Sequence, residues 1–386
     1  MMLQLGRITL VGLVSKMVLS PSSVSAEDLG YSMGNSGIEA NLQAGHRAYS
    51  YQQSTLYYQP SFNIQSSILG RTYGVQGSYG YSLYSPEIAT DEAQSQALKI
   101  HSFWSPTPSN SFFLNGYIKQ EDEQRGTGLT SEPENIDDTL SSFDDRGVHA
   151  RYVFSQPGQK SLYFSAENAF NKKQYGSDDI LALNANLQEE SRSFKLGYQW
   201  LEDKKIFYQY GKIRQEYPDA IDQSKNTNIS ISALGLTWPI SFISDLSISY
   251  GEENKSLDLS RSNLKTNYWN GVLRWSPLPH SQFIFKTSST QKPTTKLNQT
   301  QNKESGYSIE WKHIRSSNHT ISLSAQKNSI TSTIENIVEK EKKTQLKIKN
   351  KYRNYLFSAA YERKEFTSRK DWSLSLSFGY SFERNL

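Results

Sequence analysis

The chain has no cysteine, only 4 methionines and no long apolar run. Without cysteine there is no disulfide framework, no thiolate nucleophile and no cysteine-ligated metal. Past residue 26 no stretch approaches the about 20 apolar residues that a helix needs to cross a bilayer. Hydrophobic residues make up 36 % of 386 positions, too little aliphatic material for a large globular core. One-sided charge is missing too. The 42 basic and 38 acidic residues leave a net charge of +4, which gives no case for a nucleic-acid partner. There is no HExxH helix, Gly-rich phosphate loop or pair of histidines at metal-ligand spacing, so no metal and no cofactor is expected.

What is present is aromatic and alternating. Aromatics reach 12 %, with 24 tyrosines. Residues 1–26 read as a cleavable secretion signal: Arg7 precedes the apolar stretch Ile8 to Val14, and Val24-Ser25-Ala26 forms a small-residue cleavage site before Glu27. In the remainder, 27–386, side chains switch polarity with a period of two. Near the end, Trp372, Leu374, Leu376, Phe378, Tyr380 and Phe382 share one phase against Ser373, Ser375, Ser377, Gly379 and Ser381. The same alternation recurs at Ile38/Ala40/Leu42/Ala44, Tyr73 to Leu83, Val148 to Phe154, Phe194 to Trp200, Leu246 to Tyr250, Tyr307 to Trp311, Ile321 to Ala325 and Tyr355 to Tyr361. Successive Cβ atoms of a strand point to opposite faces, so such segments separate an apolar face from a polar one. Two segments are less regular. Ile229 to Trp238 changes phase midway, which suggests a bulge, and Ile206 to Ile213 reads either way.

The connections alternate in length. Tight turns fit at Gly70-Arg71, 105–110, 156–159, 201–204, 239–244, 276–280, 315–318 and Arg353-Asn354, marked by Pro, Gly, Asn and Ser. Longer polar links fall near 47–54, 85–95, 121–146, 172–189, 217–226, 252–265, 288–304, 329–343 and 363–370. The link at 121–146 is rich in carboxylates and reads as a solvated external loop. Together these features predict an all-β chain: a single closed antiparallel transmembrane β-barrel of about 18 strands, with short periplasmic turns and long extracellular loops, in the bacterial outer membrane. Trp104, Trp200, Trp238, Trp275 and Trp311 all fall shortly before a tight turn, as an interface girdle requires.

Two of those turns carry a resemblance. Trp104-Ser105-Pro106-Thr107-Pro108-Ser109 and Trp275-Ser276-Pro277-Leu278-Pro279-His280 resemble the Trp-x-Pro-x-Pro turn of a bacterial outer-membrane β-barrel porin family associated with exopolysaccharide synthesis and export. The resemblance implies a barrel of this size and a role beside periplasmic polysaccharide-export components. It also implies an Arg where Ser109 and His280 stand, and a terminal aromatic where this chain runs Phe382-Glu383-Arg384-Asn385-Leu386, so Tyr380 and Phe382 become the candidate assembly signal, followed by a short tail.

For function, the polar phase matters most. Lys99, Arg151, Lys195, Arg274, Lys286, Lys312, Lys347 and Lys349, with Glu39, Glu167, Glu310 and Glu362, are the candidate pore-lining residues. Basic members outnumber acidic ones, so an open lumen would favour anionic solutes or acidic glycans; alternatively these charges pair across strands and fill the interior. Of the 6 histidines, His101 and His149 lie on this phase, but serine is so common in this chain that one beside a histidine carries no weight, so no catalytic residue and no enzyme activity is expected. The leading expectation is a channel for export or diffusion of a polar solute. A surface barrel whose loops bind partners, and an outer-membrane hydrolase, are the alternatives. Outer-membrane lipid and lipopolysaccharide are the expected surroundings.

Overall fold

The computed structural model describes residues 31–49, 52–86, 92–123, 141–156, 160–176, 180–201, 204–220, 226–257, 263–291, 299–316, 319–334, 337–365 and 370–385. The signal segment 1–26 lies outside them. The strands run β1 (Tyr31–Tyr49), β2 (Gln52–Gly70), β3 (Tyr73–Pro86), β4 (Ala93–Thr107), β5 (Asn110–Asp122), β6 (Ser142–Ser155), β7 (Ser161–Tyr175), β8 (Leu187–Leu201) and β9 (Lys204–Glu216). They continue as β10 (Thr227–Ser241), β11 (Ser244–Leu257), β12 (Asn263–Leu278), β13 (Ser281–Gln291), β14 (Gln299–Ser316), β15 (His319–Ile334), β16 (Ile337–Tyr352), β17 (Tyr355–Glu365) and β18 (Lys370–Asn385). One short helix, α1 (Ile180–Ala185), interrupts the pattern.

Each strand pairs antiparallel with its neighbours in sequence, and β1 also pairs with β18, so the 18-stranded sheet closes on itself. Closure removes both sheet edges, which is what lets strands sit in hydrocarbon with every backbone group paired. The registers connect side chains of one phase all the way round. On the outer phase lie Ile38, Leu114, Leu196, Leu234, Leu346 and Leu376, all strongly exposed. These apolar side chains have no protein to pack against, and the hydrophobic effect leaves lipid as their partner.

The tight turns join the strands at one rim. The two Trp-x-Pro-x-Pro turns share one geometry: the register shifts between Trp104 and Thr107 and between Trp275 and Leu278, so Pro106 and Pro277 fall where the ladder needs no donor. Ser105 N donates to Thr72 O at 2.5 Å and Ser276 N to Ile243 O at 2.6 Å, tying each turn to the preceding one. Ser109 O accepts from Ser155 N at 2.9 Å and His280 O from Ile314 N at 2.8 Å. Both positions work through their carbonyls, so a Ser and a His stand where the resemblance implied an Arg.

The structure departs from the sequence reading in several places. β1 and β2 pair up to Tyr49 and Gln52, and β15 and β16 up to Ile334 and Ile337, so the ladder continues through the expected links at 47–54 and 329–343. Glu121 and Asp122 belong to β5, and Asp144 and Asp145 to β6, which narrows the acidic loop; residues 124–140 lie outside the described set. The short tail expected after Phe382 is not a tail, because Glu383, Arg384 and Asn385 pair with Gly37, Ser36 and Asn35. Nor does β10 bulge between Ile229 and Thr237, where its register with β9 and β11 is unbroken. Its phase changes because Ile229 and Ile231 are buried on the inner face while Leu234 and Trp238 are exposed on the outer one.

Candidate functional site: the inner wall

The register places Lys99, Arg151, Lys195, Arg274, Lys286, Lys312, Lys347, Lys349, Glu167, Glu310 and Glu362 on the face opposite the apolar belt, and Glu39 takes the same phase through its pairing with Ser381 and Asn63. Their surroundings differ by sector. Across β5 to β7 the charges are engaged with one another. Arg151 Nε lies 3.4 Å from Glu167 Oε1, and His149 Nε2 lies 3.9 Å from Glu167 Oε2. His149 Nδ1 is 3.3 Å from Asn115 Nδ2, and Asn115 Oδ1 is 3.0 Å from His101 Nδ1, so one polar chain runs from β4 to β7. On β11 and β12, Arg274 Nη1 donates to Asp245 Oδ1 at 2.9 Å. Glu362 is held at 3.0 Å by Lys343 and at 3.8 Å by Lys364.

From β13 to β16 the wall is different. Lys312 pairs in register with Ser322, and Ser322 with Lys349; one step away Glu310 pairs with Ser324, and Ser324 with Lys347. Lys286 faces Ser308. Among the described residues none of Lys286, Lys312, Lys347 and Lys349 has an ion pair or a hydrogen bond; Ser322 lies between Lys312 and Lys349, while Lys347 and Lys349 are same-face neighbours on β16. Lys99 and Glu310 are also without an ion-pair partner there.

The sequence reading missed a set of aromatics on the same face. Phe103 and Phe113 are cross-strand partners on β4 and β5, and Tyr163, Gly197, Phe207 and Gly235 form one row across β7 to β10. A Cβ on Gly235 would collide with the Phe207 ring, and one on Gly74 with the Phe103 ring, so these rings lie flat over glycines along the wall. Cations sit above them: the Arg151 guanidinium is 5.7 Å from the Phe113 ring, Lys195 Nζ 5.8 Å from Phe207 and Lys205 Nζ 5.2 Å from Tyr163. Part of the signal was available, since these aromatics occupy the polar phase of their strands; which of them faces a glycine depends on the register between strands.

At the rim away from the tight turns, α1 packs Ala182 and Ala185 against Tyr175, beside Phe143; both aromatics are on the inner phase. Tyr175 OH donates to the buried Glu123, and Lys173 Nζ donates to Tyr175 OH at 2.6 Å. Asn186 accepts from Tyr175 N at 2.7 Å and donates to Asp219 at 2.7 Å. Part of the expected 172–189 link therefore packs against inner-phase residues of β7.

The girdle tryptophans lie near the opposite rim. Trp104 stacks on Phe112 at 5.3 Å, which leads through Tyr152 to Phe164; Trp275 stacks on Phe283 at 5.3 Å; Trp200 meets Trp238 edge-on at 6.2 Å; and Trp311 stacks on His313. Among the described residues no group of His, Cys, Asp and Glu is arranged to hold a metal.

No protein-family model matches the chain, and no curated protein matches it. Among solved structures it is similar to OpdK of Pseudomonas aeruginosa, solved with vanillate, at a TM-score of 0.47 and 10 % identity, covering 90 % of this chain and 99 % of that one. OccAB4 of Acinetobacter baumannii gives 0.47 and 10 %, covering 92 % and 99 %. The siderophore receptor PirA of Acinetobacter baumannii gives 0.45 and 5 %, covering 90 % and 80 %. The fold itself rests on this chain's own closed register. A closed antiparallel sheet with an apolar outer belt and a polar interior spans the bacterial outer membrane.

Proposed function

We propose that the barrel is a diffusion channel for anionic polar solutes, and that the acidic glycans of an exopolysaccharide are the class it passes outward. The observation that carries this reading is the unpaired lysine sector of β13 to β16. Like charges held on a low-dielectric wall without counterions focus a positive potential into the lumen. A sheet of this strand number encloses an aqueous passage, whereas about eight strands leave room only for side chains. The sugar part of the reading is supported by the flat Phe103 and Phe207 rings, which offer apolar faces to pyranose rings beside cations suited to uronate or phosphate groups.

The test is electrical. Purified full-length protein in planar bilayers should conduct, and under a salt gradient its reversal potential should report anions as the more permeant ions. Adding acidic oligosaccharide to either side should block the current in a concentration-dependent way. Absence of conductance would reject the channel, a cation preference would reject its anion selectivity, and conductance without oligosaccharide block would reject the glycan part alone.

A further inference from the structure

On the outer wall, above the apolar belt at the rim away from the tight turns, the registers line up an unusual row. Arg192 on β8 is the direct partner of Lys212 on β9; Lys212 faces Ser230, Ser230 faces Asn254, and Asn254 faces Lys265 on β12. Arg214 stands one step higher. Together these residues line a concavity of about 760 Å³. Like charges directly opposite each other across two strands are destabilising unless something anionic lies between them. Glu190 holds Arg192 through Nε at 2.9 Å and Glu216 holds Arg214 at 2.5 Å, but Lys212 and Lys265 have no ion pair among the described residues. Both are exposed.

The height of the row is informative. Just below it, Phe194 and Tyr210 are cross-strand partners with rings 5.5 Å apart, and under them Leu196, Tyr208, Leu234, Tyr250 and Trp269 continue an aromatic-rich upper part of the belt. Lys212 lies two residues beyond Tyr210, about 7 Å along the strand and roughly 5 Å in height at the usual tilt, a distance its flexible side chain can span. With the tight turns in the periplasm, that level belongs to the headgroups of the outer leaflet. The geometry points to a binding site here for the phosphate groups of a membrane-embedded glycolipid, with Lys212 and Lys265 as its principal cations and Arg192 and Arg214 as their support. The lipid face is the only side from which a ligand reaches these outward side chains while its acyl chains rest on Leu234 and Tyr250. This inference rests on the membrane placement and not on the channel reading.

The site is tested with full-length protein in detergent, titrated with phosphorylated lipid A, with the same glycolipid stripped of phosphate, and with inorganic phosphate as competitor, and read by native mass spectrometry. The wild-type protein should retain phosphorylated lipid A and lose about tenfold in affinity in the K212Q/K265Q double variant, which removes charge-assisted contacts without touching the inner wall. The dephosphorylated lipid should bind as weakly as the variant does, and millimolar phosphate should not displace the lipid. Heat-modifiable migration of the variant in SDS gels reports that its barrel is intact. Equal binding of the two lipids, or unchanged affinity in a folded K212Q/K265Q protein, would overturn the site; displacement by free phosphate would show a plain anion site and overturn the lipid assignment.

Discussion

The inner walls of β5 to β7 and of β13 to β16 are built on the same plan, with polar side chains every second residue, yet their charges are managed in opposite ways. In the first sector Glu167 engages both Arg151 and His149, and Asn115 continues the contact to His101. In the second, Ser322 lies between Lys312 and Lys349, Ser324 lies between Glu310 and Lys347, and Ser308 faces Lys286, so no carboxylate is the direct cross-strand partner of these lysines. Neutral spacers leave a field that partnered charges cancel. The two walls thus differ where composition alone merges them: one carries partnered charges, and the other, under the proposed channel reading, would be the wall that meets the solute.

The largest expected effect is on the second wall. Replacing Lys286, Lys312, Lys347 and Lys349 together by Glu should reverse the sign of the reversal potential, with the anion-to-cation permeability ratio falling on the order of tenfold or more. A protein still selective for anions after that change would locate the field elsewhere. Phe207→Ala is expected to act less strongly, weakening block by acidic oligosaccharide by about threefold to tenfold while leaving ion selectivity in place. The complementary G235V should give a similar loss by tilting the ring off the wall, since its side chain takes the space the ring now fills. Smallest of all is Glu167→Gln. Its ion pairs are partly solvated, so a thermal denaturation series should register about 1 kcal/mol or less, and selectivity should shift slightly toward anions as Arg151 is freed. If this single change moved selectivity as far as the lysine replacements, the contrast between paired and unpaired walls would not hold.

The belt was legible in the sequence because water on one side and hydrocarbon on the other impose a period of two, as in Trp372 to Tyr380. The tight turns were legible because Pro, Gly and Asn are needed there. That constraint does not extend along the whole strand: the sequence from Val338 to Thr344 carries no alternation, and its pairing with β15 had no signature. β10 misled for a related reason, since its inner face turns apolar at Ile229 and Ile231 while the outer phase never slips. The phase of the charged inner-face positions could be read one strand at a time. Which of them would meet could not, because Arg274 with Asp245, and Glu362 with Lys343 and Lys364, depend on registers between strands that no single strand encodes.

The seam between the first strand and the last makes this cylinder an all-or-nothing object. Until β18 has been delivered, β1 offers the amide and carbonyl groups of its Tyr31–Tyr49 span to any other chain it meets. Only the pairing of residues from Trp372 to Asn385 against Ala48 down to Asn35 covers that margin, so a chain shortened before β18 would keep an open edge.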